Sequence, residues 1–266
     1  MALIQVNFVS NTLRRTVPLQ VILPVDRLSD NWRTARPKKF KTLYLLHGIF
    51  GNYTDWVSGT RIQRWAEKRG IAVVMPSGDN AFYVDQPAQR NLYGEFIGCE
   101  LVELTRRMFP LSRKREDTFI GGLSMGGYGA MRNGLKYHET FGAIISFSGA
   151  LHFMDMTEME FSENDPVDRA FMDAMFGDLP EASGTDRNPR ILIEELAKKK
   201  AADPTLKLPR IYISCGTEDD LLGSNRLYRD LLVEAGFHVT YEEGPGGHDW
   251  DFWDTYILKA LDWLRK

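Results

Sequence analysis

One serine with a glycine two residues to either side constrains this chain more than any other feature. Gly122 and Gly126 flank Ser124, and the motif lies between a β-like run and a helix-like run. Gly-x-Ser-x-Gly in this setting predicts a sharp strand-to-helix turn, because the strained serine of such a turn needs small neighbours. The turn would place the Ser124 hydroxyl at a helix N-terminus, where backbone N–H groups favour negative charge. We therefore predict that Ser124 is a nucleophile; the plainer alternative is a glycine-rich turn with an incidental serine.

A serine hydroxyl needs a general base, and His248 is the histidine whose place in the chain fits that role. Where this turn is used, nucleophile, acid and histidine follow one another in that order. His248 comes after the last predicted strand and directly before the last predicted helix, whereas His47 precedes the serine and is expected only to shape its own loop. The acid should follow the preceding strand. We choose Asp219 there and keep its neighbour Asp220 as the alternative.

The oxyanion of an acyl-transfer reaction needs two hydrogen-bond donors, and backbone N–H groups can supply both. One donor is expected from Met125, the residue after the nucleophile. The second should come from the loop that follows the strand over residues 42–46. We expect the N–H of Ile49 to serve, with that of Phe50 as the alternative.

Short apolar runs alternate with helical patterns along most of the 266 residues, which predicts a mainly parallel sheet with crossover helices. The first two runs, residues 3–9 and 17–23, are close together and are expected to pair antiparallel. Between about residues 151 and 209 the regular pattern fails. We interpret that range as a cap insertion within one domain over residues 1–266.

At this point the chain resembles the esterase D and tributyrin-esterase group of α/β-hydrolase serine esterases. The resemblance implies an α/β-hydrolase fold with a mainly parallel central sheet, helices on both faces and a small cap. It also implies a catalytic triad of Ser124, Asp219 and His248, and it favours Asp219 over Asp220. The neighbouring S-formylglutathione hydrolases differ from this chain at residues 47–51. The matching segments are residues 45–52 with Asp55-Trp56, residues 74–78, residues 121–130, residues 215–219 and residues 247–250.

Composition narrows the function classes. The chain has 33 Lys and Arg residues against 36 Asp and Glu residues, a net charge of −3, so no basic excess would recruit nucleic acid or an anionic membrane. No apolar run approaches the roughly 18 residues of a membrane span. The N-terminus does not read as a signal peptide, and we expect a cytoplasmic protein. The two cysteines, Cys99 and Cys215, form no Cys-x-x-Cys pair.

The sequence thus predicts a serine carboxylesterase that hydrolyses short-chain acyl esters through an acyl-enzyme, with no metal and no organic cofactor. Its partner would be a small-molecule ester. Phe50, Trp56 and Tyr83 are candidates for lining the substrate pocket, with ordinary core packing as an equal alternative. Feruloyl or acetyl-xylan esters of plant polysaccharide, acyl transfer to an acceptor other than water, a non-catalytic binding protein on the same scaffold, and a homo-oligomer stay open.

Overall fold

An eight-stranded sheet forms the centre of this computed structural model, which describes residues 1–26, 39–154 and 167–266. Two further short strands form a separate hairpin. In chain order the strands are β1 (Ala2–Ser10), β2 (Arg15–Leu23), β3 (Lys41–Leu46), β4 (Ile71–Pro76), β5 (Asp85–Gln86), β6 (Asn91–Leu92), β7 (Thr118–Leu123), β8 (Ala143–Phe147), β9 (Arg210–Gly216) and β10 (Val239–Gly244).

The order of strands across the large sheet is β1-β2-β4-β3-β7-β8-β9-β10. β1 and β2 pair antiparallel, which confirms the prediction for the first two apolar runs, and β2 also pairs antiparallel with β4. The pairs β4–β3, β3–β7, β7–β8, β8–β9 and β9–β10 are parallel. Parallel strands are covered on both faces, and β4, β7 and β8 are accordingly buried at every residue.

Helices cover both faces of the sheet, as predicted. One face carries the first, second and last helices, and the other carries most of the remainder. The helices are α1 (Asp55–Gly59), α2 (Ile62–Arg69), α3 (Tyr93–Glu95), which continues through a π-helical turn (Phe96–Glu100) into α4 (Leu101–Met108), then α5 (Met125–Lys136), α6 (Arg169–Phe176), α7 (Leu179–Ser183), α8 (Pro189–Ala202), α9 (Leu222–Glu234) and α10 (Trp250–Trp263).

The range over residues 151–209, interpreted from the sequence as a cap insertion, contains regular helices. This range contains α6, α7 and α8, although residues 155–166 lie outside the described part of the chain. α8 begins after the N-cap Asn188, whose side chain accepts a hydrogen bond from the Arg190 N–H. Its Leu192, Ile193 and Leu196 are buried in the same core cluster as side chains of α5 and α9. α8 therefore lies in the crossover between β8 and β9 and packs against the core.

A carboxylate in the π-helical turn holds the β1–β2 connection. Glu100 accepts hydrogen bonds from the hydroxyls of Ser10 and Thr12 and from the backbone N–H groups of Asn11 and Thr12. Burial raises the pKa of Glu100, but these hydrogen bonds lower it more, so that its pKa is about 2. Glu100 therefore ties the antiparallel edge of the sheet to the helical layer in its ionised form.

The carboxyl ends of β3, β7, β9 and β10 meet at one edge of the sheet, because these strands run parallel. In open α/β sheets this is the edge at which ligands bind. None of the described helices is long and apolar enough to cross a membrane. Cys99 is exposed and Cys215 is buried, and both are free thiols.

Candidate active site

Ser124 is the single residue between β7 and α5, and its backbone conformation is strained, with φ of 52° and ψ of −118°. The turn excludes side chains at the flanking glycines. A Cβ on Gly122 would lie 2.4 Å from the Gly126 carbonyl oxygen, and one on Gly126 would lie 2.5 Å from the His47 carbonyl oxygen. The Ser124 N–H donates to the Phe147 carbonyl over 3.0 Å, which fixes the turn to β8. The strand-to-helix turn predicted from the motif is therefore present.

His248 and Asp219 are brought together from the ends of two neighbouring strands. His248 Nδ1 lies 3.0 Å from Asp219 Oδ2. Because a carboxylate accepts, Nδ1 carries the proton and Nε2 keeps its lone pair. The Asp219 side chain has no exposed surface, whereas that of His248 is 38% exposed. Asp220, the alternative acid, is exposed. No hydrogen bond joins His248 to Ser124 Oγ within the described residues, although both side chains line one cavity.

Ser148, which the sequence analysis missed, supports the acid. Burial raises the pKa of Asp219, but hydrogen bonds from His248, from the Ser148 hydroxyl and from the Leu221 N–H lower it, and the net shift is downward. Ser148 Oγ in turn accepts a hydrogen bond from Trp253 Nε1 over 3.3 Å. Ser148 follows the carboxyl end of β8, the strand between β7 and β9, and that position was its only sequence signal.

The loop after β3 is held by the loop after β4. His47 is buried, its Nδ1 donates to the Gly48 carbonyl over 2.7 Å, and its Nε2 accepts from the Gly78 N–H over 2.8 Å. These two bonds require a neutral imidazole, and burial lowers the pKa of His47 accordingly. The Tyr83 hydroxyl donates to the His47 carbonyl over 3.0 Å. His47 thus shapes its loop, as expected.

The two candidates for the second oxyanion donor differ in their hydrogen bonding. The Phe50 N–H donates to Asn80 Oδ1 over 2.8 Å and is therefore occupied. No bond from the N–H of Ile49 or Met125 to another described residue is present. Phe50 has a φ of 63°, in the left-handed region, so its hydrogen bond to Asn80 holds an otherwise unfavourable conformation. Asn80 is a second residue that the sequence analysis missed.

A cavity of about 390 Å³ opens over Ser124 and His248. Phe50 lines this cavity, as predicted, and Trp250 and Trp253 of α10 add two further aromatic side chains. No described residue of the 151–209 range, which the sequence predicted to form a cap over the site, lines this cavity. The lining residues are Gly48, Ile49, Phe50, Gly51, Asp55, Leu123, Ser124, His248, Asp249, Trp250 and Trp253.

Two of the three predicted pocket aromatics do not line this cavity. Trp56 is 1% exposed, its Nε1 donates to the Leu46 carbonyl over 2.9 Å, and its ring packs against Phe147. Tyr83 is fully buried, with its hydroxyl bonded to the His47 carbonyl. Both side chains satisfy their polar atoms on backbone carbonyls beneath the site, which favours the alternative of core packing for Trp56 and Tyr83. No group of three or more His, Cys, Asp or Glu side chains with metal-site geometry occurs in the described ranges.

Comparison with known proteins gives the family. The model of the Esterase family matches residues 10–264. The chain belongs to this esterase family. A relative named acetyl esterase, from Caldicellulosiruptor saccharolyticus, is 42% identical over an alignment that covers 100% of this chain and 99% of the relative. The esterase is accordingly a carboxylic ester hydrolase.

Two solved structures from Staphylococcus aureus resemble the esterase along its whole length. The fluorophosphonate-binding serine hydrolase FphF is 31% identical with a TM-score of 0.85, and the match covers 100% of this chain and 98% of that one. The S-formylglutathione hydrolase FrmB is also 31% identical, with a TM-score of 0.83 and coverage of 100% and 99%. The predicted α/β-hydrolase fold is thereby confirmed. A ferulic acid esterase shares the fold at 21% identity and a TM-score of 0.78.

Proposed function

We propose that this esterase hydrolyses short-chain acyl esters through a triad of Ser124, His248 and Asp219. The observation that carries the proposal is the 3.0 Å hydrogen bond from His248 Nδ1 to the buried Asp219, beside a strained Ser124 in the same cavity. This bond leaves Nε2 as the base, and an ionised Asp219 stabilises the imidazolium that forms when Nε2 takes a proton. The geometry also supports Asp219 over Asp220.

In the proposed reaction Ser124 Oγ attacks the ester carbonyl carbon while His248 Nε2 takes the hydroxyl proton. The carbonyl π electrons move to oxygen, and the N–H groups of Met125 and Ile49 stabilise the resulting oxyanion. Collapse of this intermediate breaks the ester C–O bond, and His248 returns its proton to the departing alcohol. Water then attacks the acyl-enzyme with His248 again as base, which releases the carboxylic acid and restores Ser124.

The short acyl chain is supported by the acetyl esterase relative and by the modest cavity of about 390 Å³. An aromatic acyl group such as feruloyl is the second candidate, because Phe50, Trp250 and Trp253 offer three aromatic side chains to a planar substrate. We also propose that the esterase belongs to the tributyrin-esterase branch of the family and that it is cytoplasmic.

Hydrolysis of p-nitrophenyl acetate, butyrate and octanoate, with methyl ferulate alongside, tests the proposal. We expect kcat/KM to fall from acetate to octanoate and to be lost in Ser124→Ala. A higher kcat/KM for methyl ferulate than for p-nitrophenyl acetate would favour the aromatic candidate. Unchanged activity in Ser124→Ala would contradict the triad, and addition of methanol as an acceptor distinguishes hydrolysis from acyl transfer by its ester product.

A further inference from the structure

A second cavity of this esterase lies at the opposite edge of the sheet from Ser124. It has a volume of about 630 Å³ and forms where β3 and β9 begin, at Lys41 and Arg210. The segment over residues 205–209, which leads into β9, forms another wall. A volume of this size is in the range of small-molecule sites, roughly 300–1,000 Å³. Nothing in the proposed ester hydrolysis uses this cavity.

The lining of this cavity is strongly cationic, although the chain as a whole carries a net charge of −3. Its walls hold six lysine and arginine side chains and a single acidic side chain, that of Glu116. A concave surface lined by one sign of charge focuses the electrostatic potential on a bound counter-ion. The six cationic residues are Lys41, Arg115, Lys200, Lys207, Arg210 and Lys266.

Carbonyl groups rather than carboxylates hold two of these cations in place. Arg115 Nε donates to the His138 carbonyl over 2.6 Å, and its Nη2 donates to the Lys207 carbonyl over 2.8 Å. Lys200 Nζ donates to the carbonyls of Pro204 and Leu206, each over 2.7 Å. These bonds fix the segment over residues 204–208 without neutralising either charge. The cationic wall is therefore formed before any ligand binds.

The Arg210 guanidinium is oriented by an aromatic ring. Arg210 Cζ lies 4.5 Å from the centroid of the Trp263 ring, and the guanidinium makes no hydrogen bond to a described residue. Its N–H donors therefore stay available to a ligand. Burial lowers the pKa of Arg210, and it lowers the pKa of Arg115 although the neighbouring Glu116 carboxylate acts in the opposite direction. Lys41 differs, since its Nζ lies 3.8 Å from Asp117.

We propose that this cavity binds a small phosphate-bearing anion of nucleotide size. Phosphate oxygens match guanidinium donors in charge and geometry, and lysine ammonium groups add further charge. The apolar side chains of Leu206, Leu208 and Leu264 in the same lining would contact the organic part of the ligand. The fixed segment over residues 204–208 forms one wall of this concave surface, which favours a compact ligand over an extended nucleic acid.

Calorimetric titration of the full chain with ATP, pyrophosphate, adenosine and a short single-stranded RNA tests this proposal. The test variants are Lys207→Gln, which alters an exposed side chain of the cavity, and Arg210→Gln. The matched control is Lys198→Gln, which removes an exposed charge on α8 outside the cavity. Hydrolysis of p-nitrophenyl acetate by each variant reports whether the variant is folded. The cavity lies at the opposite edge of the sheet from the proposed catalytic residues, so these substitutions should not alter the reaction directly.

We expect ATP or pyrophosphate to saturate one site per chain, with weaker binding at higher salt. Each test variant should raise Kd about tenfold or more, as for the loss of a charged hydrogen bond, while Lys198→Gln stays within about twofold. Absence of binding by both phosphates at about 10 mM would overturn the proposal. Equal affinity for adenosine, equal weakening by Lys198→Gln, or tighter binding of a single-stranded RNA than of ATP would overturn it too.

Discussion

The backbone N–H of Phe50 donates a hydrogen bond to Asn80 Oδ1 over 2.8 Å, joining the loop after β3 to the loop after β4. This bond holds Phe50 at a positive φ and occupies its N–H. In the proposed mechanism the neighbouring Ile49 N–H stabilises the oxyanion, so its direction depends on the conformation that Asn80 enforces. Asn80 is thus a positioning residue that touches no reacting atom.

Asn80→Ala should therefore lower kcat for p-nitrophenyl acetate by about tenfold or more with little change in KM, because the misdirected donor acts on the transition state. Asn80→Asp, which keeps an acceptor oxygen, should recover most of the activity. Asn52→Ala is the control, since the Asn52 side chain accepts hydrogen bonds from nearby Thr54 and, among the described residues, makes none to the loop after β4. Equal losses of kcat in Asn80→Ala and Asn52→Ala would show that the effect is general loop damage.

The two adjacent acids after β9 make a matched pair for testing the triad. Asp219 is buried and bonded to His248, whereas Asp220 is exposed. Asp219→Asn should lower kcat by about 10³–10⁴, because the amide favours the wrong histidine tautomer and no longer stabilises the imidazolium. Asp220→Asn should stay within about threefold of wild type. Steady-state kinetics on both variants decide between them, and a larger loss in Asp220→Asn would reverse the assignment.

Glu100 predicts a defined pH dependence of stability. Its pKa is about 2 in the folded protein, below the ordinary value of 4.5. A lowered folded pKa contributes stability that is complete above the unfolded value and is lost as the pH falls through the folded value. The difference in unfolding free energy between wild type and Glu100→Gln should thus be constant above pH about 5 and shrink between pH 4.5 and about 2.

Denaturant titrations at several pH values measure this difference. We expect about 1–2 kcal/mol at neutral pH, after a discount for solvent screening of a partly exposed group. Glu103→Gln is a useful comparison, because Glu103 lies on α4 and pairs with the exposed Arg113 instead of with backbone N–H groups. A wild-type advantage that grows on acidification would contradict the role assigned to Glu100.

Trp56 and Phe50 separate packing from substrate contact. Trp56→Phe should lower the unfolding free energy by about 2–3 kcal/mol, through the lost bond to the Leu46 carbonyl and the smaller ring, with KM unchanged. Phe50→Ala should affect substrate binding and not stability, because Phe50 is 61% exposed and lines the cavity. We expect a change in unfolding free energy within about 0.5 kcal/mol and a raised KM. A raised KM in Trp56→Phe would restore Trp56 as a substrate contact.

The sequence predicted the sheet well because parallel strands are buried on both faces and appear as continuous apolar runs. The predicted strand over residues 42–46 agrees with β3 within one residue, and the runs over residues 3–9 and 17–23 agree with β1 and β2 within two residues. Residues 151–209 were harder, because the helices there are short or interrupted by polar residues. α8 buries only one side against α5 and α9, while its Lys198, Lys199 and Lys200 stand toward its exposed end.

Some residues of the candidate site could likewise be predicted from the sequence, and others could not. Ser124, Asp219 and His248 each follow the carboxyl end of a strand, and their order along the chain is a local signal. Asn80 and Ser148 act through contacts between loops that only the folded sheet brings together. Whether a loop aromatic faces the cavity or the core is also a tertiary property, which explains why the sequence left both possibilities open for Trp56 and Tyr83.

Covalent trapping tests the central claim that Ser124 is the nucleophile. The enzyme is incubated with a fluorophosphonate, digested, and the modified residue is identified by peptide mass spectrometry in wild type and in Ser124→Ala. The account predicts one adduct per chain, on Ser124, which is absent from the variant and strongly slowed in His248→Ala. An adduct on another residue that persists in Ser124→Ala while ester hydrolysis is inhibited would contradict the account.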